Sequence, residues 1–135
     1  MLAGGCLCGE IRYEYDGNPG PGTYCHCADC RRVTGSAFNV GVRLDRARFR
    51  VVRGAPKTFV KTGDNGRTIE RWFCPTCGSP LFTTAPHRPQ SLWVKAGTLD
   101  AGTNIDVVDQ IWTDSRVPWA EIPHDLPRHR GNRPA

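Results

Sequence analysis

No run of apolar residues in this 135-residue chain approaches the roughly 18 needed to span a bilayer. The opening residues, Met1 to Cys6, carry neither the charged nor the apolar region of a secretory leader, so a soluble, cytoplasmic protein without a membrane partner is expected. Low-complexity tracts, collagen-like periods and useful internal repeats are also missing, and helical periodicity is scarce. With 39% hydrophobic and 23% charged residues the composition is that of a folded globular chain. Its length suits one domain. Full disulfide pairing is excluded by arithmetic, because there are seven cysteines.

The cysteines fall in three tight clusters, Cys6-x-Cys8, Cys25-x-Cys27-x-x-Cys30 and Cys74-x-x-Cys77. A disulfide framework spreads its cysteines to staple distant segments, whereas close-set thiols in a cytosolic chain point to metal. Two local pairs complete one tetrahedral zinc site, and the triplet supplies three ligands of a second. On extended chain Cys6 and Cys8 would point to one side, while Cys74-Pro75-Thr76-Cys77-Gly78 has the form of a turn presenting two thiolates. A site of four thiolates has no vacancy and reads as structural; three ligands with an open position are the catalytic pattern. His26 could close the triplet, but its place between two strand-like ligands turns it away from the metal. Asp29 is read as a cap of the following turn or a hydrogen-bond partner of a ligand. Arg31 and Arg32 could offset thiolate charge, hold a substrate carboxylate, or be ordinary surface arginines.

The formal charge is +5, and most of the 18 basic residues are arginine. Seven thiolates and two divalent ions together lower that charge by three, which weakens any case for a nucleic-acid partner. Arg43, Arg46, Arg48, Arg50 and Arg53 alternate with Leu44, Phe49 and Val51, and read as the solvated face of strand-rich chain.

Elsewhere the period is two. Ile11–Tyr15, Phe38–Leu44 and Ile69–Phe73 alternate as antiparallel strands, and further short runs at Phe49–Val52, Thr58–Lys61, Leu81–Thr84, Leu92–Lys95 and Val107–Trp112 bring the number to about eight. Gly63-Asp64-Asn65-Gly66 reads as a hairpin connection. One short helix is expected from about Ala28 to Thr34, ending at Gly35. The fold class is mostly β. Residues 1–122 form the expected single domain. From Pro123 onward the chain is rich in proline and arginine, and 123–135 reads as an extended or disordered tail.

Gly5-Cys6-Leu7-Cys8-Gly9, Cys25-His26-Cys27-Ala28-Asp29-Cys30-Arg31 followed by Gly35, and Phe73-Cys74-Pro75-Thr76-Cys77-Gly78 together resemble the glutathione-dependent formaldehyde-activating enzymes. Lys95-Ala96-Gly97-Thr98-Leu99-Asp100 and Pro118-Trp119 extend the likeness to about residues 4–122. That family shares a zinc-containing β-tent (Mss4-like) architecture with the centromere protein V group. The resemblance implies a structural zinc on Cys6, Cys8, Cys74 and Cys77 and a catalytic zinc on Cys25, Cys27 and Cys30. It also implies glutathione as the thiol co-substrate, formaldehyde as the aldehyde, and a carbon–sulfur lyase activity. No motif marks the tripeptide pocket, and where family patterns often show His this chain has Gln110. The other function class is a zinc-stabilised module that binds glutathione, protein or nucleic acid without catalysis.

Overall fold

The computed structural model describes residues 1–122 and 125–134. Ten strands are seen there: β1 Leu2–Gly5, β2 Arg12–Tyr15, β3 Gly22–Cys25, β4 Asn39–Asp45, β5 Phe49–Arg53, β6 Lys57–Thr62, β7 Thr68–Phe73, β8 Pro80–Thr84, β9 Ser91–Lys95 and β10 Val107–Ile111. The one α-helix, α1, spans Ala28–Thr34. The protein is therefore mostly β. No helix among the described residues is long and apolar enough to cross a membrane.

The strands make a three-stranded sheet, β1-β2-β5, and a seven-stranded sheet in the order β10-β3-β4-β9-β8-β7-β6. A shared set of buried side chains joins them. Tyr13 and Tyr15 on β2, Val42 and Leu44 on β4, Leu81 and Phe82 around β8, and Leu92 and Val94 on β9 are buried together. Phe49 of β5 ties the sheets, its ring 5.2 Å from that of Tyr13 and 4.9 Å from that of Phe82. The connection after Thr62 is a hairpin, with Gly66 N–H donating to Gly63 at 3.0 Å.

Two strands exceed the periodicity reading. β1 (Leu-Ala-Gly-Gly) and β3 (Gly-Thr-Tyr-Cys) show too little apolar alternation to be read locally; pairing with β2 and β4 makes them strands. The system is also not wholly antiparallel, because β10 runs parallel to β3, with Ile111 opposite Cys25. The five arginines from Arg43 to Arg53 are exposed, as their alternation implies.

Residues 127–133 are bonded to β10 and the turn after it. Gln110 N–H donates to Pro127 O at 2.9 Å, His129 N–H to Gln110 O at 3.0 Å and Trp112 N–H to Gly131 O at 2.9 Å. Trp112 sits at φ 58°, a left-handed conformation rare for a bulky residue, and these bonds help hold it there. Arg130 pairs with Asp114 at 3.0 Å, and Arg133 Nε donates to Asp109 Oδ2 at 2.7 Å. Residues 125–134 form turns and bends with one bridge, Arg128 beside Gln110; Pro123, His124 and Ala135 of the tail lie outside the described residues.

Asp109 is 7% exposed and also accepts from Thr23 Oγ1 at 2.7 Å. Burial opposes its charge, but Arg133 and Thr23 outweigh burial and hold its carboxyl below the ordinary range. A depressed carboxylate stabilises above the unfolded value of about 3.9 and loses that contribution as pH falls through its folded value. We therefore expect the tail to stay latched at every pH above about 4 and to release below it. Arg133→Ala at neutral pH should speed hydrogen exchange at Gln110 and Trp112 while leaving Val42 and Val94 protected. Equal exchange in variant and wild type would show that the backbone bonds hold the tail without the latch.

Candidate metal centres

The first pair of cysteines follows β1 and the second lies in the β7–β8 connection. Cys6 and Cys8 are not on extended chain. Gly9 N–H donates to Cys6 O at 3.2 Å, closing a turn, and Gly9 takes φ 80°. The second pair makes the corresponding turn, with Gly78 N–H on Cys74 O at 2.9 Å and Gly78 at φ 78°. A positive φ suits glycine, which explains its place directly after each pair. Both turns aim backbone N–H groups at sulfur: Ile11 N–H reaches Cys6 Sγ at 3.2 Å and Cys77 N–H reaches Cys74 Sγ at 3.5 Å. Ser79 Oγ, 3.2 Å from Cys77 Sγ, accepts from Leu7 N–H at 3.1 Å and so links the two turns. Its contact with Ser79, together with backbone donors, pulls the Cys77 thiol down to about 5.

Cys25 ends β3, Cys27 is the N-cap of α1 and Cys30 lies in its first turn. The Cys27 sulfur accepts from Cys30 N–H at 3.2 Å, so a sulfur of the triplet itself caps the helix. Gly35, at φ 63°, stops α1 with its N–H on Arg31 O at 2.8 Å. Cys25 and Cys30 sulfurs are 3.4 Å apart. Hydrogen bonds from Cys25 and then Cys30 draw the Cys27 thiol down to about 2, while the contact with Cys27 drives Cys25 far up. One thiolate shared among three sulfurs is an arrangement a cation would relieve.

All seven cysteines are free, and in each set the sulfurs lie within 4.8 Å of one another. A tetrahedral zinc with sulfur at 2.3 Å places its ligands about 3.8 Å apart. Cys6 and Cys8 sulfurs at 3.6 Å, and Cys8 and Cys74 at 3.8 Å, match that spacing. The residues thus suit one metal ion held by Cys6, Cys8, Cys74 and Cys77 and another held by Cys25, Cys27 and Cys30.

His26 is turned elsewhere. It is 2% exposed, lies outside the three-sulfur group, and places Nε2 at 3.1 Å from Gln110 Oε1. Burial, with Arg116 and Arg128 acting in the same direction, holds the imidazole below its ordinary value against the Gln110 hydrogen bond. His26 therefore does not close the triplet, and it braces β3 against β10. Asp29 neither caps α1 nor bonds a ligand; it pairs with Lys61 of β6 at 2.7 Å, because Cys27 has taken the cap. Arg32 is exposed, whereas Arg31 is half-buried with a buried Nε that lacks a hydrogen-bond partner.

Two residues matter to the triplet that spacing did not single out. Lys95 is 8% exposed and stands opposite Gly41 on β4, two residues along from Asn39, which pairs with Cys25. Burial pulls its ammonium below the ordinary value, with the Cys30 charge opposing and Arg71 of β7 assisting. Arg71 in turn favours the Cys27 thiolate. Two cations therefore act on the three sulfurs. A lone lysine closing the apolar run Leu92-Trp93-Val94 was the available signal, but only strand register places it.

Residues 1–115 match the sequence profile of the glutathione-dependent formaldehyde-activating enzymes. The chain belongs to this family. Among solved structures, that of a Rhodobacter sphaeroides protein is similar at a TM-score of 0.59 and 28% identity, covering 76% of this chain and 90% of that one. The family match ends at residue 115, so the tail against β10 lies beyond it. Both cysteine sets fall within it.

Proposed function

We propose that the protein is a zinc-dependent carbon–sulfur lyase that joins a small thiol, glutathione being the leading candidate, to formaldehyde or a related aldehyde. The observation that carries this reading is the inequality of the two sulfur sets: four thiols converge in one, and three, acted on by Lys95 and Arg71, in the other. On this reading Cys6, Cys8, Cys74 and Cys77 form a closed structural clamp. Cys25, Cys27 and Cys30 would hold the ion that serves the reaction, and zinc bound there would favour the thiolate of an incoming thiol, whose free value near 8.5 leaves it mostly protonated at pH 7.

The surrounding residues support that chemistry. Three thiolates and a divalent ion carry a net charge of −1; a fourth thiolate makes it −2, and Lys95 and Arg71 offset the increase. Cys25 and Lys95 are buried while Cys27 is only partly covered, so the sulfur set is dry on one side and open on the other. In the addition, the thiol sulfur bonds to the carbonyl carbon, the C=O π pair moves to oxygen, and the proton lost by the thiol ends on that oxygen. No oxidant or reductant is needed, and the reverse reaction is the lyase direction.

Cobalt replacement tests the open position. Glutathione added to protein loaded with two cobalt ions should intensify the sulfur-to-metal charge-transfer band, and the increase should vanish when Cys25, Cys27 and Cys30 are replaced together. An unchanged spectrum at saturating thiol, in protein shown to hold both ions, would remove the basis of the lyase reading.

A further inference from the structure

We propose that the protein has a second ligand site, a cationic cavity that binds the phosphate groups of a small phosphorylated molecule. The cavity has a volume of about 430 Å³ and is lined by Arg43, Arg67, His87, Arg88, Gln90 and Ser91. No carboxylate is among these residues. Every ion pair among the described residues leaves Arg43, Arg67 and Arg88 out. Asp45, two residues along β4 from Arg43, is engaged with Ala47 N–H at 3.0 Å.

Hydrogen bonds fix one wall and the backbone of the loop before any ligand arrives, while the Arg67, His87 and Arg88 side chains are exposed. Ser91 is 5% exposed and its Oγ accepts from Arg43 Nε at 3.2 Å, which orients the guanidinium and leaves its two terminal nitrogens for another acceptor. The loop carrying His87 and Arg88 is closed by Arg88 N–H on Ala85 O at 3.0 Å and Ser91 N–H on Arg88 O at 3.1 Å. Arg46 N–H on Gln90 O at 2.8 Å ties that loop to the end of β4. Arg67 enters from the β6–β7 hairpin. Three guanidiniums from three segments repel one another, and His87 feels the same field, being held below its ordinary value by burial and then by Arg67 and Arg88.

An anion relieves that repulsion. The planar fork of arginine suits phosphate oxygens, and three such forks suit a diphosphate or a phosphate monoester better than a single carboxylate. The cavity is also apart from the sulfur triplet: Ser91 and Lys95 stand at opposite ends of β9, about 13 Å apart at the rise of a strand. Both sites can be filled together, so the inference stands whether or not the lyase reading does.

Calorimetric titration of pyrophosphate into the metal-loaded protein at 0.15 M chloride should show saturable binding at one site. Arg67→Ala and Arg88→Ala should each weaken it about tenfold, the loss of one charge-assisted contact. Arg50→Ala, which removes an exposed arginine paired with Glu14 away from the cavity, should leave it unchanged. Melting temperatures within a few degrees of wild type would establish that the variants are folded. No saturable heat, or equal affinity in the Arg67 and Arg88 variants, overturns the proposal. Displacement of pyrophosphate by glutathione overturns it too, by making the cavity the far end of the thiol site. Preference for a short DNA duplex over pyrophosphate, with a steep salt dependence, would assign the arginines to nucleic-acid backbone instead.

Discussion

Cys74→Ser is expected to abolish cooperative unfolding and yield a chain that aggregates or resists purification in folded form. Cys74 is fully buried, sits in the hydrophobic core and belongs to the sulfur set that joins the turn after β1 to the β7–β8 connection. A structural zinc contributes folding free energy directly, of the order of 10 kcal/mol in small peptides, which is comparable with the whole stability of an ordinary domain. The sets also differ in the loops they close. Fixing residues 6 and 77 together offsets about 4 kcal/mol of chain entropy, against about 1.5 kcal/mol for residues 25 and 30. Cys27→Ser should therefore keep a sharp thermal transition, lowered by several degrees, and lose one of the two zinc ions proposed for the wild type. Circular dichroism melts with metal analysis decide the matter. A Cys74→Ser protein melting within a few degrees of wild type would show that the four-sulfur set is not the clamp described above.

Lys95→Met should separate function from stability. The lysine is buried and its ammonium is disfavoured by that burial, so a methionine of similar length should leave the melting temperature unchanged or raise it. Thiol binding at the triplet should weaken ten- to hundredfold, about 1.4–2.8 kcal/mol, because one of the two cations balancing a fourth thiolate has gone. The cobalt charge-transfer titration reads this affinity directly. A stable variant with undiminished thiol affinity would assign the balancing role to Arg71 alone.

The contrast between these residues shows what a linear sequence discloses. Sulfur ligands within five positions of one another are placed by local turns, so Cys25, Cys27 and Cys30 come together for reasons visible in their spacing. Lys95 comes close because β9 pairs with β4 in one particular register, and nothing near residue 95 specifies that register. The strands divide in the same way. β2 and β4 declare themselves by apolar alternation and β9 by a short apolar run, whereas Leu2–Gly5 offers two glycines and becomes a strand only through β2. The polar, proline-containing segment 125–134 gives no hydrophobic signal, since backbone bonds to β10 and the Asp109–Arg133 pair hold it. His26 lay between the cases: its position between ligands predicted that it would turn away, but not that Gln110 would receive it.

The wide separation of the four-sulfur ligands acquires a meaning during synthesis. Cys8 leaves the ribosome 66 residues ahead of Cys74, which at about 5–20 residues per second is a wait of roughly 3–13 s. The triplet is complete well before that wait ends. If both sulfur sets take zinc as proposed, a nascent chain in a cell where free zinc is scarce would fill the triplet first, and the four-sulfur set would be the last to be loaded. Zinc starvation should accordingly show itself as a failure to mature, with new chains lost to proteolysis while protein made earlier keeps working.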